Sequence, residues 1–84
     1  MQNNEIKALI SAGIPGSRVE VMGDDGTHFE AIIVSELFVG LNMVQQHQLV
    51  YKALGEKMGR DIHALSIQTF TPEEWEKKKP LRVV

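Results

Sequence analysis

Ile6, Leu9 and Ile10 recur at the i, i+3, i+4 spacing of one buried helical face, with Asn3 placed to cap the start. Gly13 is expected to end this helix as a left-handed C-cap, and Pro15 prevents its resumption. Arg18-Val19-Glu20-Val21 then alternates with period two, as a half-buried strand does. The Asp-Gly pair in Gly23-Asp24-Asp25-Gly26 signals a hairpin turn, because those positions tolerate positive φ. His28 to Ser35 is apolar and β-branched from Phe29 onward, with Glu30 its only charge, which suits a central strand flanked on both sides.

Glu36 to Leu41 is a connector containing Gly40. Asn42 followed by Gln45 has the pattern of a capping box and opens the longest helix. On it Met43, His47, Val50, Leu54 and Met58 are expected to form one stripe, with Tyr51 beside it and Gly59 closing the helix. His63 to Phe70 alternates as a third strand, Leu65 and Ile67 on one face, Ala64 and Ser66 on the other. Thr71-Pro72-Glu73-Glu74 is a helix start: Thr as cap, Pro in the first turn and Glu at the third position. A short helix carrying Trp75 should run until Pro80.

The expected order is therefore α-β-β-α-β-α. Strands one and two form a hairpin, and strands two and three, joined through a helix, make a parallel pair with a right-handed crossover. The economical architecture is an α/β (α+β) fold, a three-stranded mixed sheet with helices packed on one face. The 84 residues make one domain, residues 1–84, with the last few expected to be a flexible tail. Apolar residues at 43% and charged residues at 24% match an ordinary globular mix. A chain of this size buries about 60% of its unfolded surface, so it has one modest core and little room for a deep catalytic cleft.

Composition narrows the chemistry further. Zero cysteines exclude disulfides, thiolate zinc sites, a Cys nucleophile and a cluster ligated by this chain's own thiolates. Nine basic against eleven acidic side chains, a net charge of −2, create no global field toward nucleic acid or anionic membrane. Neither a secretory signal nor a membrane-length apolar run is visible, so a cytoplasmic protein is expected. Walker loops, dinucleotide glycine patterns, nucleophile elbows and HExxH are all absent, which argues against an enzyme.

The histidines are the main candidates. His28 begins the second strand and His63 the third, so a parallel pairing brings both strand starts to one edge of the sheet. Strands about 4.8 Å apart put both imidazoles within reach of one metal ion or cluster. Imidazole is a borderline ligand that suits iron as well as zinc. Two histidines leave the shell incomplete, and the residues alone allow a plainer reading. From the residues alone, His63, which shares parity with Leu65 and Ile67, is read first as rimming the core, and His28 beside a tight turn as a solvated loop residue. His47 on the long helix is read as packing and Asp24-Asp25 as turn chemistry. Lys77, Lys78, Lys79 and Arg82 form the one basic cluster, either a phosphate-contacting patch or cations complementing a helix C-terminus.

The string from Phe29 through Trp75, with VSELFVGL, VQQHQLVYKAL and IHALSIQTFTPEEW in this order, resembles the BolA-like proteins. The short chain and the GDDGTHF hairpin are most similar to the bacterial IbaG (acid-stress) branch. The resemblance implies a fold similar to class II K-homology domains and partnership with monothiol, CGFS-type glutaredoxins in iron–sulfur handling. It implies a [2Fe–2S] cluster shared with that partner, whose cysteine and bound glutathione supply ligands while His63 and His28 supply the others. No cofactor is then expected in the isolated chain. The family is also associated with stress responses and transcription regulation, which keeps DNA binding through the Lys77 to Arg82 end as the alternative. Gln46-His47-Gln48 stands where many relatives carry arginines, and no Gly-x-x-Gly clamp is present; both departures weaken phosphate binding. Homodimerisation of the apo protein is a third possibility.

Overall fold

The computed structural model describes residues 2–23, 28–58 and 64–78. Helix α1 spans Asn3–Gly13. Its cap is one residue earlier than expected: Gln2 precedes the helix, and its backbone N–H donates to the Glu5 carboxylate at 3.0 Å. Asn3 instead lies in the first turn, where its side-chain amide donates to the Gly23 carbonyl at 3.1 Å. Ile6, Ile10 and the following Ile14 are buried at i, i+4, i+8, each burial stabilising by about 1.5–3 kcal/mol. Gly13 is not the left-handed cap; that conformation falls at Gly16, φ 79°. Gly13 serves packing, since a Cβ there would collide with the Ala53 side chain and lie 2.9 Å from its Cα.

Strands β1 (Arg18–Met22), β2 (His28–Val34) and β3 (Ala64–Phe70) form a sheet in the order β1-β2-β3. The first pair is antiparallel and the second parallel, as the connection lengths require. Residues 24–27, the expected hairpin turn, lie outside the described residues. Alternation sends Val19, Phe29, Ala31 and Ile33 into the core, and Leu65 and Ile67 pack against the same cluster. Arg18, Glu20, Met22, His28 and Glu30 are exposed on the opposite face. β2 is the central strand, but its outer face is covered only toward its end, at Ile32 and Val34.

After β2 the chain makes a short 3₁₀ turn at Glu36–Phe38 and turns again at Gly40, φ 83°. Helix α2 (Met43–Leu54) opens with the expected reciprocal box: Gln45 N–H donates to Asn42 Oδ1 at 2.9 Å, and Asn42 N–H to Gln45 Oε1 at 3.0 Å. Its buried stripe differs from the expected one. Gln46, Val50 and Leu54 face inward, whereas Met43 is 69% exposed and His47 half-buried. The helix stops at Leu54 because Gly55, φ 58°, caps it; Gly59 lies outside the described residues.

Helix α3 (Pro72–Lys78) starts from the box read in the sequence, with Thr71 N–H donating to Glu74 Oε1 at 2.8 Å and Glu74 N–H to Thr71 Oγ1 at 3.2 Å. The expected element order and mixed sheet are thus observed. The helical layer on the core face is built by α1 and α2. Helix α3 packs Trp75 on Phe70, ring centroids 5.4 Å apart, and Phe70 pairs with Val34 on the face turned away from that layer. The expected tail begins beyond the described residues.

Candidate functional site

His28 opens β2, and its Cα partner in β3 is Ala64, the residue that follows His63 in the chain. The two strand starts therefore meet at one edge of the sheet. His63 itself lies outside the described residues. Because Phe29 is drawn into the core, strand alternation turns His28 and Glu30 outward. They border a concavity of about 540 Å³ together with Met22, Gly23, Ala64 and Ser66. Glycine is required at position 23: a Cβ there would sit 2.6 Å from the His28 carbonyl oxygen and 2.8 Å from the Phe29 ring. The end of β1 thus closes directly onto the backbone that carries the imidazole, and Asn3 holds it there through the Gly23 carbonyl.

The donor chemistry at this edge is an exposed imidazole beside a carboxylate and a hydroxyl, with no thiolate in the chain. Among the described residues no three His, Asp or Glu side chains group to hold a metal ion. The edge is open, and the His28 side chain is exposed on its surface.

The other candidates fall elsewhere. Lys77 pairs with Glu73 at 3.3 Å, both side chains more than three-quarters exposed, and Lys78 lies over the Phe70 ring at 5.1 Å. Both cations sit in the last turn of α3, with Lys79 and Arg82 outside the described residues. One polar centre went unread in the sequence. Gln46 is buried, donating to the carbonyls of Phe38 (3.2 Å) and Leu41 (2.9 Å) and accepting from the Thr69 hydroxyl at 2.6 Å. A polar residue four positions before Val50 and eight before Leu54 was the signal for it.

The match to known proteins is extensive. The family model described as BolA-like protein matches residues 11–74. Acid stress protein IbaG of Escherichia coli is 42% identical over 82 residues, 96% of each chain. The DNA-binding transcriptional regulator BolA of Haemophilus influenzae is 47% identical over 49 residues, 58% of this chain and 48% of that one. The solved bolA protein homologue from Coxiella burnetii superposes with a TM-score of 0.81 at 45% identity, covering 90% of this chain and 97% of that one. Among the described residues no helix is long and apolar enough to cross a membrane.

Proposed function

The chain belongs to the BolA-like family, and from that premise we propose that it is a non-enzymatic adaptor that joins a monothiol glutaredoxin and shares a [2Fe–2S] cluster with it. The cluster is cargo, carried or sensed in the response to iron, redox or acid stress. The observation that carries the reading is the pairing of His28 with Ala64, which brings the strand start carrying one imidazole beside the residue that follows the other. His63 and His28 supply nitrogen ligands, and the partner supplies thiolates that this cysteine-free chain lacks. The proposal requires both rings to reach one cluster from this edge, where His28 shares its face with Ala64. Gly23 and Asn3 position the backbone of His28.

The test is co-elution. The chain and a monothiol glutaredoxin are mixed with iron, sulfide and glutathione and separated by size; a coloured heterodimer is expected. Two separate species, with all iron on the glutaredoxin, would overturn the proposal.

A second reading rests on the regulator from Haemophilus influenzae, whose name assigns it DNA binding. Here the cations of the α3 end, Lys77 and Lys78 with Lys79 and Arg82 after them, would contact phosphates. The net charge of −2 works against it. Titration of labelled DNA at two salt concentrations decides: binding that weakens steeply with salt supports this reading.

A further inference from the structure

At the opposite end of the sheet from His28 lies a second concavity, of about 670 Å³, between the connector after β2 and the start of α3. The seven residues of β2 set the two apart by about 20 Å. Phe38, fully buried, and Gln46 form its floor. The Gln46 hydrogen bonds to Phe38 and Leu41 fix the connector, so the surface is formed before any ligand arrives. Val39 stands on its wall at 64% exposure, and Leu37, Met43 and Val44, each more than half exposed, lie on the same connector and first turn of α2. Exposed aliphatic side chains this concentrated mark an interaction surface.

The rim carries three carboxylates, Glu36, Glu73 and Glu74, and no basic side chain is among the residues lining it. Glu74 is engaged by the Thr71 cap, and the Glu73–Lys77 pair is solvent-exposed and weak, leaving the rim acidic. Phosphate-bearing ligands are repelled by such a rim. A twofold contact with a second copy would set the same carboxylates against one another, which costs rather than stabilises.

We propose that this surface docks a basic, apolar-anchored segment of a partner protein. Aliphatic side chains of the segment pack on Val39 and the nearby Met43, while its Lys or Arg residues face Glu36, Glu73 and Glu74. The inference does not rest on the iron–sulfur reading. It gives the protein two surfaces far enough apart to be occupied together.

The probe is a labelled synthetic peptide of alternating leucine and lysine, followed by fluorescence anisotropy with the full chain. Saturable binding is expected that weakens with added salt. Val39→Ser and the double variant Glu36→Gln/Glu73→Gln should each raise Kd by about tenfold, since both attractive components act at one site. Glu20→Gln, on the exposed sheet face, should leave it unchanged, and far-UV circular dichroism confirms that each variant is folded. Equal binding of a leucine–glutamate or serine–lysine peptide would overturn the proposal. So would indifference to the variants, or a homodimer that Val39→Ser dissociates, because a second copy would then be the occupant.

Discussion

The Thr69 hydroxyl donates to the Gln46 carboxamide oxygen at 2.6 Å, joining the end of β3 to the first turns of α2. Through the same carboxamide α2 also holds the Phe38 and Leu41 carbonyls, so one side chain ties the connector before α2 and the distant strand β3 to the helix. Replacing it by an apolar residue of similar size removes a partner from the Leu41 carbonyl and the Thr69 hydroxyl, while the Phe38 carbonyl keeps the Leu41 N–H at 3.1 Å. Gln46→Leu should therefore cost about 2–4 kcal/mol, and Thr69→Val, which removes one donor, about 1–2 kcal/mol. Urea unfolding followed by the fluorescence of Trp75, the only tryptophan and a buried one, measures both.

The contact between Gly13 and Ala53 sets the distance between α1 and α2. Gly13→Ala should destabilise by about 1–3 kcal/mol, because both the side chain and the backbone of Ala53 stand in the way. Adding Ala53→Gly should recover part of the loss by removing one of the two obstacles. A double variant no more stable than Gly13→Ala alone would show that the helices are not spaced by this contact.

Gly23 makes a prediction that connects packing to function. Gly23→Ala forces a methyl group toward the His28 carbonyl and the Phe29 ring, displacing the strand start that carries the imidazole. Heterodimer formation with cluster-loaded glutaredoxin should weaken, while Gly40→Ala, at the far end of the sheet, should leave it unchanged in variants that remain folded. Titration of each variant against the glutaredoxin compares them.

The proposed cluster sharing predicts that acid releases the cluster. A protonated imidazole has no lone pair for iron, so protons and metal compete for the same nitrogen, and affinity falls as pH falls. The visible spectrum of the heterodimer, followed through a pH titration beside the cluster-loaded glutaredoxin alone, should fade at the higher pH. Identical titrations of the two would mean that no imidazole of this chain is a ligand.

Local chemistry was readable where neighbours in sequence determine it. The Asn42–Gln45 and Thr71–Glu74 boxes and the parallel pairing all followed from short-range pattern and connection length. The failures share one cause. The role of Gly13 depends on Ala53, forty residues away, and the helical phase of α2 depends on Gln46 finding Phe38, Leu41 and Thr69. Apolar spacing alone placed Met43 on the buried stripe, where a polar residue with three partners actually sits. Of the candidate site, the strand edge at His28 was legible because register fixes it. The requirement for glycine at position 23 was not, since it arises from a cross-strand approach.

The most direct test is visible circular dichroism of the chain mixed with cluster-loaded monothiol glutaredoxin, recorded for the wild type, His63→Ala and His28→Ala. A new cluster spectrum in the wild type, lost in His63→Ala and altered in His28→Ala, is the predicted result. A spectrum unchanged on mixing, or one that both variants reproduce in full, would contradict shared ligation by these histidines.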